Sequence, residues 1–146
     1  MALEIERKFL VIDDSYKSMA VKCRHIIQGY LSRRKEATVR IRVTDDKAFI
    51  TVKGMTVNAT RQEWEYTIPV DDAIEMLKLC DGNIIEKNRW IVIFNGMKWE
   101  IDEFIRPFIG LTVAEIELDD ENTAFKRPPF VGEEVTGDAA YYNSNL

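Results

Sequence analysis

The chain has 146 residues, 46% of them hydrophobic and 31% charged, the make-up of one ordinary domain able to bury a core without a disulfide or metal staple. A formal net charge of -5 and a pI near 5.0 argue against passive binding to nucleic acid or to an anionic membrane, both of which need a basic surface. A polyanionic ligand would have to bring cations with it.

Residues 3–12 alternate apolar and polar side chains with the period of two that marks a strand with unlike faces. Ser15 to Ala20 leaves room for a short helix. The alternation returns over 26–33, 37–44, 47–53 and 60–69, with turn signals at Asp45-Asp46 and Gly54. It then breaks: Asp71 offers an N-cap, Ala73, Met76, Leu77 and Cys80 recur at helical spacing, and Gly82 offers a stop, so a helix is predicted over 71–81. Strands resume over 84–94, 97–105 and 112–119. Asn95-Gly96 is a strong hairpin signal because both residues tolerate positive φ, and Gly110 marks the next turn. Asp138 to Leu146 is expected to form a last turn or two. The chain therefore reads as a single mainly β (α+β) domain over 1–146, eight antiparallel strands closing into a barrel or sandwich with few short helices.

Residues two apart on a strand share a face. Glu4, Glu6 and Lys8 thus project together, as do Arg40 with Arg42, Arg61 with Glu63 and Glu65, Lys87 with Arg89, Glu100 with Asp102, and Glu115 with Glu117; Lys53 ends a similar strand. A half-buried sheet facing water would account for charged faces, but it would intersperse the signs, because like charges at neighbouring positions repel. Grouped carboxylates become favourable around a hard divalent cation, and grouped bases around phosphate oxygens. Both together are what a metal-bound polyphosphate requires. If the sheet closes, the charged face points inward and makes a polar tunnel. The outer apolar face must then be covered by the 71–81 helix, by the tail or by a partner copy in a homodimer.

The opening EIERKFL resembles the ExExK signature of the CYTH superfamily, the triphosphate tunnel metalloenzymes. The likeness continues in order through TVRIRV at 38–43, TVKG at 51–54, RQEWEYTIP at 61–69, EKNRW at 86–90, KWEIDEF at 98–104, GLTVAEIEL at 110–118 and EVTGDAAYYNSNL at 134–146. The resemblance implies an eight-stranded antiparallel tunnel with Mg²⁺ or Mn²⁺ as cofactor and a small-molecule triphosphate as substrate. It implies metal ligation by Glu4, Glu6, Glu63, Glu65, Glu115 and Glu117, and a triphosphate clamp of Lys8, Arg40, Arg42, Lys53, Arg61, Lys87 and Arg89. Asp102 resembles a family acid near the metals and joins Glu4, Glu6 and Lys8 as a catalytic candidate. The YxNxxL-type tail looks like that of short bacterial inorganic triphosphatases, which hydrolyse tripolyphosphate to diphosphate and phosphate. Class IV adenylyl cyclase or thiamine triphosphatase activity on the same site, and a non-catalytic polyphosphate-binding module, are the alternatives. Ala139 and Ala140 stand where a basic residue is expected, and little chain is expected to remain for closing the tunnel's end.

Other features carry blander readings. Cys23 and Cys80 lack metal or redox spacing and read as buried small hydrophobes in a reducing cytosol. The first residues lack the unbroken apolar run of a signal peptide or membrane span, so a soluble cytoplasmic protein is expected. His25, the lone histidine, reads as a surface or packing residue. Trp64, Trp90 and Trp99 fall opposite the charged phase and read as outer packing or a dimer interface. The Asp119–Glu121 run reads as a solvated loop.

Overall fold

The structure is a computed structural model and describes residues 2–146. Its strands are β1 (Ala2–Val11), β2 (Lys22–Arg34), β3 (Ala37–Thr44), β4 (Lys47–Gly54), β5 (Thr60–Ile68), β6 (Asp81–Phe94), β7 (Met97–Arg106), β8 (Thr112–Glu117) and β9 (Val131–Glu134). Two short helices accompany them, α1 (Tyr16–Met19) and α2 (Val70–Leu77). Strands β5, β4, β3, β2, β6, β7, β8 and β1 are neighbours in that order, and β1 pairs back with β5, so the eight expected antiparallel strands close into a barrel. The Asn95-Gly96 hairpin forms with both residues at positive φ.

One edge of β1 is divided. Residues 2–5 pair with β5, and farther along Phe9 and Val11 pair with β9. The opposite edge runs along β8 from Glu6 to Leu10. The barrel wall therefore has a seam where β1 leaves β5 for β9. Sequence reading misses β9, because four residues in a Pro- and Gly-punctuated segment carry too short an alternation to register.

The barrel is inside-out. Charged side chains line the lumen, and the apolar faces look outward to two separate covers. Helix α2 places Ala73 against Ile41 and Ala48, with Met76 and Leu77 packed beside them. It begins one residue before Asp71, behind Pro69, because proline's fixed φ suits a helix entrance and Asp71 then sits in the first turn facing the helix dipole. It ends at Leu77 rather than 81, and Gly82 is an early residue of β6, not a helix stop. Gly29 explains the tight junction there: a β-carbon on it would lie 2.8 Å from Ile84 and 2.9 Å from Cys80.

The second cover was not foreseen. Tyr16 of α1 and the 118–131 segment, with Leu118, Phe125 and Phe130, close over Phe9, Val92, Trp99, Ile101, Ala114 and Ile116. Trp99 is fully buried there, stacked at a tilt on Phe9, which agrees with outer packing. The tail covers no outer face. It forms two 3₁₀ turns, Ala139–Tyr141 and Asn143–Asn145, across one end of the barrel.

Cys23 is exposed and Cys80 only half-buried, since both occupy strand or helix borders rather than core positions. Glu121 is no mere solvated acid: its carboxylate accepts from the Ala59 N–H and the Thr60 hydroxyl, each at 3.0 Å, and fastens the loop before β5. His25 is a surface residue, its Nε2 2.6 Å from Glu86. No described helix is long and apolar enough to cross a membrane.

Candidate active site

Strand alternation brings the residues singled out by their charge phase into one cavity of about 250 Å³, lined among others by Glu4, Glu6, Lys8, Arg40, Arg42 and Lys53. Arg61, Glu63, Glu65, Arg89, Glu115 and Glu117 line it too. Lys87 and Asp102 lie just behind, at 0% and 1% exposure. The signs are segregated. Inward-facing residues of β2, β3, β4 and β6 are basic or neutral, the charged ones of β8 are acidic, and β1, β5 and β7 carry both signs.

Part of this charge is already matched. Lys53 Nζ bridges Glu4, at 2.8 and 2.9 Å, and Glu63, at 3.4 Å. Lys8 Nζ lies 3.3 Å from Glu115. Asp102 accepts a bidentate pair from Arg89, at 2.7 and 2.9 Å, and a third bond from Lys87 at 2.7 Å. Burial opposes ionisation of all three carboxylates, but these cations override it and hold Glu4, Glu115 and Asp102 below the usual range. With its oxygens so occupied, Asp102 is an anchor for Lys87 and Arg89.

Much of the remainder is poorly matched, in both senses. Burial and the charges of Glu115 and Glu4 push Glu6 well above the normal carboxyl range. Burial and Glu4 raise Glu63, and burial with Glu4 and Glu100 raises Glu117. Glu4 and Glu63, and likewise Glu6 and Glu115, stand within hydrogen-bonding reach of each other. Across the lumen, burial and the neighbouring Arg40 and Arg89 depress Arg42 to about 9, and its Nε finds only the neutral Gln28 oxygen at 2.8 Å. The Nε groups of Arg40 and Arg61 are buried without a partner among the described residues. Orphaned buried donors of this kind are rare and costly unless a ligand satisfies them.

The tail supplies wall residues that charge phase could not reveal. Tyr142, Asn143 and Ser144 line the cavity, Lys8 Nζ donates to the Tyr141 carbonyl at 3.0 Å, and Lys87 Nζ donates to Asn143 Oδ1 at 2.8 Å. Arg33, stacked over Tyr30, holds the Ser144 carbonyl, and Asn83 holds that of Leu146 at 2.7 Å. Leu146 and Tyr141 pack against Tyr30, Ile85, Phe104 and Val113, an apolar plug. The end expected to lie open is thus closed. Ala139 and Ala140 are exposed on the first tail turn. Glu100 and Lys98, which line the cavity on β7, were legible by phase but were not singled out as site residues.

Closure of eight antiparallel strands around an ionic lumen defines a β-tunnel protein whose interior is built for charged ligands. The chain belongs to the CYTH family, whose domain model matches residues 2–142. An inorganic triphosphatase of Acetivibrio thermocellus is 50% identical to it, the match covering 100% of this chain and 94% of that protein. An inorganic triphosphatase of Nitrosomonas europaea is 33% identical, covering 98% and 95%. A crystal structure of an inorganic triphosphatase superposes with a TM-score of 0.68 at 32% identity, over 97% of this chain and 95% of that one. A protein from Pyrococcus horikoshii shares the fold at a TM-score of 0.64 and 22% identity, over 82% and 80%.

Proposed function

We propose that this protein is an inorganic triphosphatase, hydrolysing tripolyphosphate to diphosphate and phosphate in its lumen with a divalent metal. The observation that carries the reading is the segregated, unmatched charge. Among the described residues Glu6 and Glu117 have no ion pair with a cation, Arg42 and Arg61 have none with a carboxylate, and the Nε of Arg40 is unpartnered, so a metal–polyphosphate complex would satisfy both sets at once. The two relatives named as inorganic triphosphatases favour hydrolysis over cyclisation.

Among the described residues no three acidic side chains already converge as a cage. The donor set nonetheless fits a hard cation, because carboxylate oxygens crowded against their like are stabilised by Mg²⁺ or Mn²⁺. Glu4, Glu6, Glu63, Glu65, Glu115 and Glu117 would hold it. Bound there, the metal would supply Lewis-acid polarisation and a water of lowered pKa.

The chain's own residues do the rest. Arg40, Arg42, Arg61 and Arg89 fix the phosphates on the basic wall and stabilise charge on the leaving diphosphate. Lys8 and Lys53, paired here with Glu115 and Glu4, would complete the clamp once those carboxylates held the metal. Asp102 keeps Arg89 and Lys87 aimed. The plug of Leu10, Tyr30, Ile85 and Phe104 excludes water from the closed end.

The direct test is release of phosphate and diphosphate in equal amounts from tripolyphosphate with Mg²⁺ or Mn²⁺, abolished by a chelator. No release with either metal overturns the reading, and cyclic nucleotide from ATP in preference to phosphate would favour a cyclase.

A further inference from the structure

The lumen communicates with two outer cavities. One opens at the seam, where Thr56, Asn58, Ala59, Thr136, Gly137 and Tyr142 line both spaces. Its charged lining residues are Arg7, Glu121 and Glu134; Glu134 is tied to Arg7 at 2.6 and 2.8 Å and lies 3.9 Å from Arg127, so the seam offers no excess of positive charge. The other, about 320 Å³, lies at the barrel end opposite the tail, between the start of β2 and the β6–β7 hairpin. Arg42, Arg89, Lys98 and Glu100 line both it and the lumen, which makes the two continuous.

This vestibule is strongly basic. Lys22 and Arg24 add to Arg42, Arg89 and Lys98, with Glu100 the one acid in the lining. Glu100 is shared, 3.4 Å from Arg89 and 3.9 Å from Lys98. Arg24 meets Asp45 at 3.5 Å with both side chains near 40% exposed, a pair that solvent weakens. Lys22 has no ion pair among the described residues, and Arg42 has only its neutral Gln28 contact. On a chain of net charge -5, such a patch has no general electrostatic cause.

We infer that the triphosphate reaches the lumen through this vestibule, and that Lys22, Arg24 and Lys98, outside the expected clamp, capture it and pass it inward to Arg42 and Arg89. The inference rests on the triphosphatase reading and adds the direction of approach. A polyanion meets no excess positive charge at the seam and an apolar plug at the tail, whereas the basic vestibule attracts it. Steering of this kind raises association rates by about tenfold or more and fades with salt, since the screening length is about 8 Å at physiological ionic strength.

The test compares substitutions that alter charge at the two openings. Lys22→Gln with Arg24→Gln should lower kcat/KM for tripolyphosphate about five- to twentyfold at low ionic strength, leave kcat within about twofold, and flatten the salt dependence. Lys22→Arg with Arg24→Lys, which keeps the charges, should restore wild-type values. Asn122→Asp, which adds a negative charge at the seam, should change kcat/KM less than about twofold. Calorimetric affinity for tripolyphosphate with Mg²⁺ on the same variants provides a second measure that needs no turnover. Wild-type hydrolysis with an unaltered double Gln variant, or an equal effect from Asn122→Asp, overturns the vestibule alone. Wild-type binding without hydrolysis overturns the triphosphatase reading while the affinities still judge the vestibule, and absence of both overturns the two together.

Discussion

Glu6 occupies a crowded acidic position in the lumen. Glu115 lies within hydrogen-bonding reach, Glu4 adds a second like charge, and burial disfavours ionisation further. Folding alone would be better served by a neutral side chain there, which supports the proposed role of Glu6 in holding a ligand. Glu6→Gln preserves shape and hydrogen bonding while removing the charge, so melting temperature without metal should hold or rise. Turnover should fall on the order of 10²-fold or more, as for loss of a principal charge-stabilising group. Melting curves beside phosphate release check both halves, and a Gln variant that keeps full activity removes Glu6 from the site. Arg40 and Arg61 show the complementary condition at the same scale, buried donors awaiting acceptors.

At the scale of elements, the seam depends on β9 holding to β1. The Arg7 guanidinium grips Glu134 with two bonds, and the Thr136 hydroxyl adds a third at 2.7 Å. Those bonds hold the Glu134 carboxyl below its ordinary 4.5. A depressed carboxyl pKa contributes stability that is fully present above the unfolded value and disappears as pH falls through the folded one. Glu134→Gln should therefore cost about 1 kcal/mol near neutral pH, roughly 3 °C in melting temperature, for a partly buried bidentate pair. The gap between variant and wild type should narrow as pH drops below about 4.5. A gap that stays constant from pH 7 to pH 3 would show that the carboxylate's charge is not what fastens β9.

At the scale of the whole molecule, the ordinary partition is inverted: the ionic side chains share the interior and the apolar faces need outside covers. The proposed metal–triphosphate ligand would neutralise the unmatched charge of the interior, so ligand and fold would be thermodynamically linked. Tripolyphosphate with a non-turnover divalent ion should raise the melting temperature more than either component alone. At a hundred times the dissociation constant the gain would be about 2.7 kcal/mol, some 8 °C for a chain of this size. Thermal melts across a ligand titration measure it, and purely additive shifts would count against a joint metal–phosphate site.

The sequence by itself determined the eight barrel strands, the antiparallel hairpins and the set of charged side chains sharing a phase, because period-two alternation follows from strand geometry alone. Glu4, Glu6, Arg40, Arg42, Glu63, Glu115 and Glu117 were readable for that reason, and all line the lumen. Only the tertiary structure decided what depends on contacts distant in sequence. Strand β9 exists because β1 leaves a free edge beside β5, and the tail closes one end because Arg33, Asn83, Lys8 and Lys87 happen to meet its carbonyls and its Asn143 amide. Asp102 became an anchor through three bonds from β6, and Lys22 and Arg24 gained a role by standing at the opening the tail leaves. No local pattern encodes these pairings, since each is fixed by barrel closure rather than by neighbouring residues.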